Sequence, residues 1–475
     1  MSKNLESIAV LFSVFIFLLY ISTLSISMDD EDSVHFALGL REFNVTKYQP
    51  HPPGFPVYIV LGMAFNVIFR NELLSLTFMS ALFGALTVFV FYVLSREMFN
   101  KETALLSSIL LAFTPLFWLN SVKAMSDMTG FFFIVLSMLF LYRYLRYGKP
   151  YYLYVSALVL GVSAGVRIHS LFVLLPPLIY VTYRRGSDAR TVLVGGGIFI
   201  AAILMWFIPL LIVTGAPEYF SSTESQLTYR IGRSYISIIG SEAGLGGVTE
   251  RLIGFPYFFL LGGYGVNLAG LGILSILLLL LMIVLGLVFL RKVNPRDERC
   301  VFFSTGLAPY LLMVFVLLPP FNPRYLLLLV PLLSLAFTLA ICRVKKSFLK
   351  YVLFGFFLFL LLSHSLFLAL LIRTVPSPPV QLIEYVNRNY GPRDVVLLSG
   401  FLDKYFTYYG TNLTRLPETV DCDTIRKLLS EGRKVLSIRG NERCGMNPVE
   451  KASFHRDPRV HIKRSTLNLY EISAQ

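Results

Sequence analysis

The chain has 475 residues, of which 55% are hydrophobic, 15% aromatic and only 15% charged. A soluble globular protein carries about a quarter charged residues, so this composition, with a mean hydropathy of +0.67, points to lipid as the solvent. The formal net charge of +14 does not indicate a nucleic-acid partner, because the cations fall in short clusters between apolar runs.

A bilayer-crossing helix needs roughly 20 apolar residues, and about eleven stretches qualify. In chain order they are 8–27, 73–95, 103–119, 128–145, 151–166, 169–183, 192–213, 262–290, 301–319, 325–342 and 349–372. The pair at 151–183 is split only by Arg167-Ile168-His169 and reads as two spans. Every even-numbered span ends in a basic cluster. These clusters are Arg96 and Lys101; Arg143, Arg146 and Lys149; Arg184, Arg185 and Arg190; Arg291, Lys292, Arg296 and Arg299; and Arg343, Lys345, Lys346 and Lys350. That register places the N-terminus in the cytoplasm of a cell-membrane protein, with the first run an uncleaved span.

Three regions on the opposite face are too polar to span: residues 28–72, 214–258 and 373–475. The expected fold class is therefore a polytopic α-helical membrane domain, 1–372, followed by a small extracytoplasmic α/β domain, 373–475. Within that tail the pattern predicts a helix at 379–390, a strand at 395–399, a helix at 423–431 and strands at 434–439 and 459–472. Cys300 and Cys342 sit at cytoplasmic span ends as free thiols, whereas Cys422 and Cys444 share the tail and are placed to pair.

Four segments carry chemistry. The first outer loop opens with Asp29-Asp30-Glu31-Asp32 and continues to His51-Pro52-Pro53-Gly54-Phe55-Pro56. Acids there read either as a solvated helix end or as a site, since carboxylates contribute little to orientation. The prolines set a sharp helix entry, and Gly54 allows close approach of another chain or ligand. Asp127, at the mouth of the fourth span, reads as a helix N-terminal acid or as part of the same site. Arg167 interrupts two spans where a charge is expensive, and is either a snorkelling anchor or functional. Phe321-Asn322-Pro323-Arg324-Tyr325 puts an arginine on the outer face, against the general trend, as interfacial anchor or ligand. The loop 214–258, with Tyr229, Arg230, Arg233, Glu242 and Gly244-Leu245-Gly246-Gly247, reads as a lid or as a disordered connector.

Asp32-Ser33-Val34-His35-Phe36 followed by His51-Pro52-Pro53 resembles the first outer loop of GT-C glycosyltransferases. The likeness is greatest to the protein O-mannosyltransferase-like branch, which includes lipid A aminoarabinose transferase. The resemblance implies transfer of a sugar from a polyprenyl-phosphate donor to a hydroxyl of a protein or glycolipid acceptor, on the outer face, with inversion. Asp32 would be the general base and Asp127 a second site acid. Arg167 and Arg324, with His51 and Tyr325, would hold the donor phosphate. Many members place Glu after the first Asp, whereas this chain has Ser33, so Asp29, Asp30 and Glu31 stand as alternative acids. No cofactor or metal is expected, since the mannosyltransferase-like branch works without one, although the converging acids leave room for the divalent ion that oligosaccharyltransferases need. A transporter or lipid flippase is the rival class; against it, the charges gather at one face and the halves show no clear repeat.

Overall fold

The structure is a computed structural model. It describes residues 2–232, 237–239, 244–270, 272–398, 400–442, 444–460 and 464–473. Among the described residues, sixteen α-helices precede residue 375: α1 (Ser2–Ser22), α2 (Glu31–Arg41), α3 (Pro56–Phe69), α4 (Glu72–Met98), α5 (Lys101–Phe113), α6 (Pro115–Val122), α7 (Asp127–Tyr147) and α8 (Pro150–Val166). They continue with α9 (Ser170–Arg184), α10 (Ala189–Thr214), α11 (Ala216–Ile231), α12 (Gly244–Phe258), α13 (Ile273–Leu290), α14 (Glu298–Leu317), α15 (Leu329–Ile341) and α16 (Ser347–Thr374).

Six of these are long and apolar enough to cross a bilayer: α4, α7, α10, α13, α14 and α16. A seventh is the bent pair α5 and α6, which meet at 61°. The bend follows from Pro115, which pushes Thr114 out of the helical region, to a ψ of 131°. The apolar stretch Glu6–Ser22 of α1 and the apolar helices α3, α8, α9 and α15 are shorter. Large side chains such as Leu193, Ile212 and Ile273 lie exposed, as lipid-facing positions do.

The regions read as outer loops contain helices. Residues 28–72 hold α2 and α3, and 214–258 hold α11 and α12; Arg233 and Glu242 lie outside the described residues. The expected span 262–290 starts late, at Ile273. Gly262, Gly263 and Gly265 loosen the backbone before it, and a π-helical turn occupies Phe259–Gly263.

After residue 374 the chain forms α17 (Pro378–Asn389), β1 (Val395–Leu398), α18 (Gly400–Tyr409), β2 (Thr414–Pro417), α19 (Cys422–Ser430), β3 (Val435–Ser437), β4 (Pro448–His455) and β5 (Thr466–Ile472). The sheet order is β2-β1-β3-β5-β4, with β1 parallel to both neighbours and β5 antiparallel to both of its own. Periodicity found α17, β1, α19 and β3 but missed α18, β2 and β4, and the strand expected over 459–472 begins only at Thr466. Residue 399, the end of the expected first strand, lies outside the described residues. Cys422 and Cys444 are joined in a disulfide.

This α/β layer shares its core with the first outer segment. Met28, Val34, Phe36, Tyr58 and Ile59 pack in one apolar cluster with Leu382, Tyr405, Phe454 and Leu469. The tail therefore presses directly on α2, the helix that carries the acidic run.

Candidate functional site

The site forms where α2, the His51 turn and the N-termini of α7, α9 and α15 meet. Asp32 lies in the first turn of α2, and Asp127 is the first residue of α7, both places where a carboxylate gains from the helix dipole. Arg167 leaves α8 at its C-terminal end, and Arg324 lies in the 3₁₀ turn Pro323–Leu326 before α15. Four charges from four separate segments thus converge.

They form a chain of ion pairs. Arg167 Nη1 lies 2.7 Å from Asp127 Oδ1 and donates to Ser126 Oγ at 3.3 Å. Arg324 Nη1 stands 3.8 Å from Asp127 Oδ2, and Arg324 Nη2 donates to Asp32 Oδ2 at 2.7 Å. His51 Nε2 is 3.7 Å from Asp32 Oδ1, and its Nδ1 is 3.3 Å from His35 Nδ1. The His51 turn approaches α2 closely because residue 39 is glycine; a Cβ there would meet Pro50 Cδ at 3.0 Å.

Burial alone would raise the Asp32 carboxyl, but Arg324, the two imidazoles and Arg230 together hold it well below the usual carboxylate range. Burial pushes His51 down to about 3, with His35, Arg230 and Arg324 adding to it against Asp32. His35 is lowered for the same first reason, its burial.

An open cavity of about 380 Å³ lies against this chain, lined by Asp127, Gly130, Arg167, His169, Ser170, Tyr310 and Arg324. Among the described residues, Asp127 Oδ2, Arg324 Nε and Ser170 Oγ are buried without a hydrogen-bond partner. Unpartnered polar atoms around one hollow suit a polar ligand group. Phe131, Ile134 and Leu328 line this cavity and also a neighbouring groove of about 490 Å³, whose remaining walls, including Phe91, Met138 and Phe303, are apolar. A polar cavity therefore shares a wall with an apolar slot between spans. On the other side of Arg324 lies a polar cavity of about 560 Å³, lined by Asp30, Asn120, Lys123, Asn322 and Arg459 among others.

The sequence candidates separate. Asp32, Asp127, Arg167 and Arg324 come together. His51 joins Asp32, at the opposite end of the ion-pair chain from Arg167. Tyr325 is buried, with Arg324 over its ring at 5.5 Å and its carbonyl accepting from Tyr310 Oη at 2.9 Å. Of the alternative acids, Asp30 lines the polar cavity, but Asp29 and Glu31 face the tail: Asp29 is bonded to Arg456, and Glu31 to Arg464 at 3.1 Å. Pattern reading missed Gly130, where a Cβ would stand 2.9 Å from Arg167 Cδ. It also missed His35 as a neighbour of Asp32. Both sit three residues after a site acid on a helix, a spacing that puts them on its face.

Residues 50–213 match the family model of the dolichyl-phosphate-mannose-protein mannosyltransferases. That stretch contains His51, Asp127 and Arg167 but not Asp32 or Arg324. The protein O-mannosyl-transferase tmem260 of Dictyostelium discoideum is 26% identical over 128 residues, which is 26% of this chain and only 15% of that protein's length. In fold the chain is similar to ArnT from Cupriavidus metallidurans bound to undecaprenyl phosphate. There the TM-score is 0.56 at 11% identity, over 99% of this chain and 98% of the other. It is also similar to the oligosaccharyltransferase of Archaeoglobus fulgidus in complex with Zn and sulfate, with a TM-score of 0.52 at 14% identity, over 91% of this chain and 67% of the other. The resemblance to the GT-C glycosyltransferase superfamily therefore holds, in fold along nearly the whole chain and in sequence over residues 50–213, about a third of it.

Proposed function

We propose that this chain, an integral membrane protein with the GT-C fold, is an inverting glycosyltransferase that moves a sugar from a polyprenyl-phosphate donor to an acceptor hydroxyl. The observation that carries the reading is that the Arg167–Arg324 cavity and the apolar groove adjoin at Phe131, Ile134 and Leu328. A lipid phosphate needs those two environments joined: guanidinium donors for the oxygens and an apolar slot for the tail. The sugar and the acceptor would meet at the Asp32 end of the ion-pair chain, across Arg324 from Arg167.

Asp32 is the general base. The acceptor oxygen attacks the anomeric carbon as its proton passes to the Asp32 carboxylate, and the bond from that carbon to the phosphate oxygen breaks. The charge that builds on the departing phosphate is taken up by Arg167 and Arg324. Asp127, between the two guanidiniums, holds them in register. Without donor, Arg324 lies on Asp32 and weakens it as a base. A phosphate that draws Arg324 towards itself raises the proton affinity of Asp32 at the moment a base is needed. This step requires no metal ion.

The finer topology belongs to the same reading: eleven spans, a cytoplasmic N-terminus, a membrane domain over 1–372 and an α/β domain over 373–475 on the outer face. The Cys422–Cys444 disulfide supports that side, since such bonds persist outside the reducing cytoplasm. The test is a transfer assay on the purified chain with a panel of radiolabelled polyprenyl-phosphate sugars. Asp32→Asn must abolish transfer to an acceptor that the unaltered chain uses. Transfer by Asp32→Asn at the unaltered rate removes Asp32 from the mechanism.

A further inference from the structure

Beside the ion-pair chain lies a group of side chains that the transfer step does not use. His35 is one helical turn after Asp32 on α2, and the turn through Pro50 and Pro52 brings His51 against both. One ligand atom from each of Asp32, His35 and His51 lies within 4.8 Å of the others. Both imidazoles are buried, at 5% and 4% exposure, so bulk water does not hydrate their nitrogens.

Their separation is informative. The two Nδ1 atoms are 3.3 Å apart, at or beyond the long edge of the ordinary N–H donor range of about 2.7–3.2 Å. Two nitrogens on one tetrahedral zinc-type ion, each at about 2.0–2.1 Å, stand about 3.3–3.4 Å apart. The imidazole pair is thus spaced as two corners of a coordination shell. The third ligand is a carboxylate oxygen of Asp32 from within the same 4.8 Å cluster; Arg324 occupies Oδ2, and Oδ1, now 3.7 Å from His51 Nε2, turns towards the two Nδ1 atoms when an ion binds.

We propose that Asp32, His35 and His51 form a binding site for a divalent transition-metal cation of the zinc and cobalt type, and that its occupancy inhibits transfer. Two imidazoles and one carboxylate favour such ions over magnesium or calcium, which take oxygen shells. The inhibitory part rests on the reading of Asp32 as base: a carboxylate oxygen coordinated to a metal cannot accept the acceptor's proton, and the cation competes with Arg324 for the same group. The binding part is independent of that reading.

The test uses the full chain purified in detergent and stripped with a chelator. Titration with Co²⁺, followed by its ligand-field absorption and by metal content after desalting, is expected to give one tightly held ion per chain that Zn²⁺ displaces and Mg²⁺ does not. His35→Gln and Asp32→Asn each remove one ligand at nearly constant size, and each is expected to weaken Co²⁺ binding by about tenfold or more. In the transfer assay Zn²⁺ is expected to inhibit the unaltered chain and a chelator to restore it. His35→Gln should keep its basal transfer and lose most of that inhibition. Absence of stoichiometric Co²⁺, or equal binding by both variants, overturns the site. Co²⁺ binding as expected in a chain that transfers no sugar from any donor keeps the site and overturns the proposed function. Co²⁺ binding with transfer untouched by Zn²⁺ overturns the inhibition.

Discussion

Two buried ion pairs grow from one acidic run, and they have opposite characters. Asp29 and Arg456 are almost fully enclosed, with side-chain exposures of 1% and 0%, and they join the first outer segment to the tail. Asp32 and Arg324 are more open, at 26% and 13%, and Arg324 lines a cavity on each of two sides. The first pair has the geometry of a structural lock; the second keeps its charges where a ligand can reach and rearrange them. Three residues of chain separate the two roles, so charge density alone does not identify a site. What does is whether the partner comes from the tail or from the mouth of a groove between spans.

The largest effect tests the open pair. Loss of a general base costs about 10²–10⁴-fold in rate, so Asp32→Asn is expected to lower kcat by that much while thermal stability stays near that of the unaltered chain. The closed pair should behave in reverse. Arg456→Met leaves Asp29 as an uncompensated buried charge and is expected to destabilise the fold by about 3–5 kcal/mol, measured by denaturant titration, while transfer per folded chain is retained. The double change Asp29→Leu with Arg456→Met restores most of that loss. If Arg456→Met were as stable as the parent but inactive, the two pairs would have to exchange roles.

A smaller effect probes how the open pair is set. Gly130 follows Asp127 by three residues, and a Cβ there would lie 2.9 Å from Arg167 Cδ and 3.2 Å from its Cγ. Alanine improves the helix intrinsically, by about 1 kcal/mol, but crowds the guanidinium stem by an amount worth about 1–3 kcal/mol. Gly130→Ala is therefore expected to raise KM for the donor with little change in kcat. An unchanged KM would show that Arg167 can shift without cost and does not hold the phosphate in one place.

Much of the membrane part was legible because lipid imposes a one-dimensional rule. Runs of apolar residues such as 192–213, punctuated by clusters such as Arg184 and Arg185, reveal helices without knowledge of their packing. The site was legible where a charge stood in a costly place, as at Arg167 and Arg324. It was not legible where function depends on what a residue leaves out: Gly130 and Gly39 matter through the absence of a side chain, which only the neighbour's position reveals. The fates of Asp29 and Glu31 were hidden as well, because their partners Arg456 and Arg464 lie more than four hundred residues away. The tail was read least well, since β2 has only four residues and α18 and β4 take their burial from α2 and β5 more than from their own periodicity.

The smallest effect concerns pH and sharpens the same contrast. Burial works to raise the Asp29 carboxyl, but Arg456, Lys123 and the Ser25 hydroxyl together bring it below its ordinary value. As pH falls, the unfolded chain then takes up this proton before the folded chain does. The lock accordingly contributes its full stability above the unfolded value of about 3.9 and loses it as pH falls through the lower, folded value. Acid melting curves of the parent should therefore drop more steeply below about pH 4 than those of the Asp29→Leu, Arg456→Met double variant, which has no such proton to take up. Parallel curves would mean that Asp29 is as easily protonated folded as unfolded, and that the tail is held to α2 by its apolar contacts alone.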